Sequence, residues 1–105
     1  DAFAGTTVDV TALIDALEDA SAASRARTIE ALGKIGDDRA VEALIPHLFD
    51  SVTSVCQAAA VALGQLAPTA ESIAALRQVV PHRCDEVAEA AENALRRLEA
   101  ARAPG

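Results

Sequence analysis

Few side chains in this 105-residue sequence are equipped for chemistry. His47 and His82 are the only imidazoles, and Cys56 and Cys84 are the only thiols. An imidazole can act as a general base or a metal ligand, and a thiolate as a nucleophile or a soft ligand. The spacing supplies little of what those roles need. The cysteines lie 28 positions apart without a Cys-x-x-Cys pair, which gives neither a zinc knuckle nor a disulfide framework. Cys56, His82 and Cys84 would offer three soft ligands if helices about 10 Å apart brought them together, with Asp85 or Glu86 as the fourth. Their order matches no zinc signature, so two reduced thiols is the simpler reading. A disulfide would need the two backbones to approach to about 6 Å. No Lys or paired His is placed to activate either cysteine, and Arg83 beside Cys84 is the one hint. The sequence therefore predicts no catalytic residue, no metal site and no cofactor.

Composition narrows the function classes further. Asp and Glu total 16 against 9 Lys and Arg, for a formal charge of −7. That balance argues against nucleic acid or an anionic membrane as the main partner. No uninterrupted apolar run reaches membrane-spanning length and no signal-peptide pattern opens the chain. With only two unpaired-looking cysteines, the expected compartment is a reducing cytoplasm. The first residue is Asp1 rather than Met, so a processed form or a stretch of a longer protein is expected. About a quarter of the residues are Ala, which favours helix, and the hydrophobic share of 51% is enough for one core.

The elements that position these residues repeat along the chain. A shift of 31 aligns Val10, Leu13, Ile14 and Leu17 with Val41, Leu44, Ile45 and Leu48, a helical i, i+3, i+4, i+7 stripe occurring twice. The same shift carries Ala31-Leu32-Gly33 onto Ala62-Leu63-Gly64, the mark of a second helix type. A shift of 32 then places Val55, Ala58, Ala59, Ala62 and Leu63 on Val87, Ala90, Ala91, Ala94 and Leu95, and Val41, Leu44 and Leu48 on Ile73, Leu76 and Val80. Six helices follow, at 8 to 19, 22 to 35, 38 to 50, 54 to 67, 70 to 80 and 85 to 101. Thr7, Ser21, Asp38, Ser54, Thr69 and Asp85 are the expected N-caps, with Ser54 and Gln57 as a capping box. Gly36, Pro68 and Pro81 are the expected stops, and Pro46 should kink the third helix near Glu42 and Ala43. Short connections make successive helices antiparallel, and a single hairpin cannot bury its own stripe, so the pairs must stack. The expected fold is all-α, an α-solenoid of about six antiparallel helices over 8–101, flanked by tails at 1–7 and 102–105. Leu32, Leu44, Leu48 and Leu63 should be its core. Gly33 and Gly64 each cost about 1 kcal/mol in a helix interior relative to Ala, which a close helix approach would offset.

The string from Arg25 to Asp50, with its Ala31-Leu32-Gly33-Lys34-Ile35-Gly36-Asp37-Asp38 core, resembles a HEAT-like repeat of the phycobilisome-lyase type. The second copy, Val55 to Val80, keeps Ala-Leu-Gly but has Cys56 where that family has Arg and Ala67-Pro68 where it has Gly-Asp. On this resemblance the chain holds the second helix of a first repeat, two full repeats and the first helix of a last one. Such repeats mostly supply binding scaffolds. HEAT-like enzymes resembling deoxyhypusine hydroxylase hold iron through His-Glu pairs, whereas His47 is followed by Leu48 and His82 by Arg83. Register puts His47 at the place of Ala16 and Val79, the edge of the stripe, where a partly buried structural imidazole is expected. DNA-glycosylase relatives need aromatic and basic residues on a concave face, and this chain has no Trp and no Tyr.

The leading expectation is a non-catalytic protein-protein interaction or scaffold module. The alternative is an accessory subunit or fragment of a phycobilin-lyase-like enzyme. Binding is expected through the helices at 8 to 19, 38 to 50 and 70 to 80, taken as the inner row, with Thr11, Asp15, Glu18, Glu42, Pro46, Phe49 and Gln78 as a strip running from acidic to apolar. Phe49 is its large anchor. Arg96 stands where register places the next glycine, so the last helix should cap the array, with Glu92, Arg96 and Arg97 outward and Val87, Ala91, Leu95 and Leu98 inward. The N-terminal helix lacks such a polar guarantee and is the expected place for a homodimer contact.

Overall fold

The computed structural model describes residues 10–18, 21–82 and 84–102, with the backbone alone at His82. Thr7, the outermost residues of the first predicted helix, Arg83 and both predicted tails apart from Arg102 lie outside the described residues. Six α-helices alternate in direction: α1 (Val10–Ala16), α2 (Ala22–Ile35), α3 (Ala40–Leu44), α4 (Thr53–Gln65), α5 (Ala70–Val79) and α6 (Asp85–Arg102). Among the described residues there is no strand, so the chain is an all-α solenoid. No described helix is long and apolar enough to cross a membrane.

Two of the three shorter-row helices end in a 3₁₀ segment. Pro46 does not kink a continuous third helix at Glu42 and Ala43 as expected; it ends the α-helix at Leu44, and Ile45–Phe49 continues as 3₁₀. The pyrrolidine ring has no N–H to give and clashes with the carbonyl four residues back, so the tighter winding replaces the α turn. Val80–His82 does the same around Pro81. After α1, Leu17 and Glu18 bond back to Ile14 and Asp15 at 3.1 Å, again across three residues.

The caps were only partly as expected. Ser21 accepts from the Ser24 N–H, and Gly36 closes α2 at φ 78° with its own N–H on the Leu32 carbonyl. Thr69 caps α5 in a reciprocal box with Ser72, whose buried hydroxyl is thereby satisfied. The predicted Ser54–Gln57 box does not form, because α4 begins a residue earlier at Thr53. There Asp50 accepts the Val52 N–H at 2.8 Å, and the Val52 carbonyl takes the first helical bonds. Asp38 does not cap α3. Asp37 turns the chain by accepting the Arg39 N–H, while Asp38 reaches 29 residues ahead to the Ala67 N–H and ties the turn after α4 to the start of α3. Asp85 lies inside α6, since the Cys84 carbonyl takes the Ala88 N–H; Asp85 and Glu86 instead face the positive end of the helix dipole.

Packing follows the repeat register. Leu32, Leu44, Leu48, Leu63, Leu76 and Leu98 are all buried to 1% exposure or less. A Cβ on Gly33 would sit 2.9 Å from Ala62 Cα, and one on Gly64 3.0 Å from Ala94 Cα. These contacts draw α2, α4 and α6 into close backbone approach. On α6, Glu92, Arg96 and Arg97 are exposed and Val87, Ala91 and Leu98 buried, with Leu95 half-buried rather than fully inward.

Leu63 sits between the two rows at the centre of the stack. Leu63→Ala is expected to lower unfolding free energy by about 2 to 5 kcal/mol through the cavity it leaves, read from a urea denaturation curve. A midpoint equal to the parent's would place Leu63 outside the core.

Candidate functional site

Cys56 and His47 sit at one structural junction, built around Asp50. Arg25 on α2 and Asp50 after the 3₁₀ segment form a part-buried ion pair at 3.4 Å, with side-chain exposures of 22% and 17%. Asp50 also accepts the Val52 N–H, and its carbonyl accepts the Cys56 thiol. One acidic residue thus links the start of α2, the end of the 3₁₀ segment and the start of α4. His47 is half-buried beside this junction. Burial holds its pKa below the usual imidazole value; Asp50 and Glu18 pull it up and Arg25 adds to the lowering. Cys56 is buried and Cys84 exposed, with no disulfide between them. Among the described residues, no group of three or more His, Cys, Asp or Glu side chains is placed to hold a metal ion. The His82 side chain lies outside the described residues, so its part in the proposed ligand trio has no structural counterpart to report.

The seven strip residues fall on the row of α1, α3 and α5 and the segments that follow α1 and α3. Thr11, Asp15, Glu18, Glu42, Pro46, Phe49 and Gln78 are each exposed. Thr11 and Asp15 ride on α1, Glu18 follows it, Glu42 is on α3, Pro46 and Phe49 are on the 3₁₀ segment and Gln78 is on α5. Phe49 is 50% exposed, the largest exposure among the big apolar side chains described. The break at Pro46 sets this geometry: Leu48 turns into the core at 0% exposure, and the tight 3₁₀ winding leaves the next residue outward.

A second surface feature escaped the sequence reading. Shallow depressions follow the α2–α4 and α4–α6 seams, lined by Ala26, Glu30, Gln57 and Val61 on one side and by Val61, Asn93 and Arg97 on the other. Val61 stands between them at 47% exposure. The signal was present in the register, where Val61 is apolar and its counterparts Glu30 and Asn93 are polar.

Stacked helical hairpins with a recurring glycine contact define a helical-repeat solenoid. The family model for HEAT repeats matches residues 10–96, and the chain belongs to the HEAT repeat family. No curated protein matches the sequence significantly.

Because the folded state holds His47 less basic than the unfolded chain does, the unfolded state binds more protons below the ordinary value of 6.5. Stability should fall as pH drops from about 7 to about 5, the range in which an ordinary imidazole charges. His47→Gln should flatten that slope in thermal melts, and an unchanged slope would assign the dependence to other groups.

Proposed function

We propose that this chain is a non-catalytic protein-binding module whose partner docks on the row formed by α1, α3 and α5, along Thr11, Asp15, Glu18, Glu42, Pro46, Phe49 and Gln78. The observation that carries this reading is Phe49. A ring left half-exposed on a rigid 3₁₀ segment, beside exposed Pro46 and within an acidic surround, has the make-up of an interface anchor. The Arg25–Asp50 pair and the buried Leu48 hold that segment in place, so little ordering would be needed on binding. Asp15, Glu18 and Glu42 suit a partner with basic side chains around an apolar one, which these carboxylates would steer rather than hold. HEAT repeats commonly serve as interaction scaffolds, which supports the same class of function.

Capture experiments with immobilised protein test the reading. Phe49→Ala should abolish recovery of the partner, and reversal of Asp15 and Glu18 to Lys should weaken it with a reduced salt dependence. Reversal of Glu30, on α2, should leave recovery unchanged. Equal loss from both reversals would indicate general electrostatic adhesion. A new visible absorption band on mixing the protein with a bilin would replace this reading with that of a pigment-handling accessory subunit.

A further inference from the structure

The row of α2, α4 and α6 carries a surface feature that recurs with the repeat. The depression over the α2–α4 seam has Ala58 and Ala62 in its lining, and the one over the α4–α6 seam has Ala90 and Ala94, the same two positions 32 residues on. Val61 stands between the two at 47% exposure and lines both. The far walls carry charge, Lys34 on α2 at the first depression and Arg97 on α6 at the second. With Gln65 they occupy one register position, 31 and 32 residues apart, so a row of Lys34, Gln65 and Arg97 crosses the three helices. Gln65 lies over Gly33, its Oε1 taking the space where a Cβ would be. The chain has 16 acidic residues against 9 basic ones, and Arg25, Arg39 and Arg77 are ion-paired. Lys34 and Arg97 are exposed and have no ion-pair partner among the described residues, although Glu30 lies one turn from Lys34. The negative end of the α2 dipole accounts for Lys34, but Arg97 lies more than a turn before the end of α6, beyond that influence.

We infer that this face binds a short, extended acidic peptide running across the three helices from α2 to α6. Packed helix axes lie about 8–10 Å apart, so α2 and α6 are separated by roughly 16–20 Å. An extended chain advances about 3.3 Å per residue and turns alternate side chains to one side. A segment of about seven residues therefore spans the row, with its first, third, fifth and seventh side chains toward the protein. The first and seventh, as carboxylates, reach Lys34 and Arg97. The third and fifth, as apolar groups, fall on the two sides of Val61 and enter the depressions. The Gln65 carboxamide, which both donates and accepts, lies under the segment and suits a peptide backbone. Charge complementarity selects this occupant: a basic segment would oppose both cations, and an uncharged one would leave them unmatched. The face shares no residue with the Phe49 strip, whose carboxylates suit a basic partner, and does not depend on it.

Fluorescence anisotropy with the full chain and a labelled synthetic peptide, Glu-Thr-Leu-Thr-Leu-Thr-Glu, tests the inference. Threonine at the alternate positions favours the extended form. Saturable binding that weakens as salt is raised is expected, and the same peptide with Lys in place of both Glu should not bind. Lys34→Glu and Arg97→Glu should each weaken binding about tenfold or more. Val61→Asp, at an exposed position, should abolish it, and all three variants should keep the parent's helical circular dichroism. Glu30→Gln, which removes the carboxylate one turn from Lys34, should strengthen binding, and Phe49→Ala should leave it unchanged. Absence of saturable binding, or equal binding of the Lys peptide, overturns the inference. Full affinity in a folded Lys34→Glu or Arg97→Glu variant, or loss of binding in Phe49→Ala, also overturns it.

Discussion

The close approach of α2, α4 and α6 across Gly33 and Gly64 is the constraint on which the remaining structure depends. Each glycine weakens its own helix by about 1 kcal/mol relative to Ala. In return the backbones pass where a single methyl would collide with Ala62 or Ala94. Side chains this small contribute little apolar area each, so the contact stabilises chiefly through dense packing along whole helices. Ala58, Ala59, Ala60 and Ala62 on α4 are all buried, which accounts for an alanine content unusual in a folded core. The other row is where the chain breaks into 3₁₀ turns and exposes Phe49.

That second row is held by different means. Pro46 shortens α3 to one and a half turns, too little to be stable alone, so the segment relies on Leu44 and Leu48 in the core and on Asp50 at its end. Asp50 bonds Arg25, Val52 and Cys56 at once. The same arrangement explains the most chemically suggestive residues. Cys56 is buried with its thiol on the Asp50 carbonyl, and His47 is half-buried beside the same junction.

Most of the architecture was legible because repetition supplied an internal comparison. The stripes Val10–Leu17 and Val41–Leu48 and the paired Ala-Leu-Gly strings located four helices, and the further shift of 32 located the last two. Helix starts were less legible where two candidate caps stood close together. Asp37 beside Asp38, and Asp50 shortly before Ser54, differ in reach and tertiary partner rather than in intrinsic preference, and those partners lie far away in sequence. For the candidate site, exposure of all seven strip residues followed from their non-core register positions. Val61 stands off both repeated stripes, and its exposure depends on how α2, α4 and α6 pack.

Gly33 and Gly64 serve helix approach and not local backbone freedom; both lie within α-helices, and the only positive-φ glycine among the described residues is Gly36. The most direct test is the sign of the stability change in Gly64→Ala, measured by chemical denaturation. Helix propensity alone would stabilise the variant by about 1 kcal/mol. The packing account predicts the reverse, a midpoint shifted to lower denaturant because the new methyl meets the Ala94 backbone. A stabilised Gly64→Ala protein would contradict it.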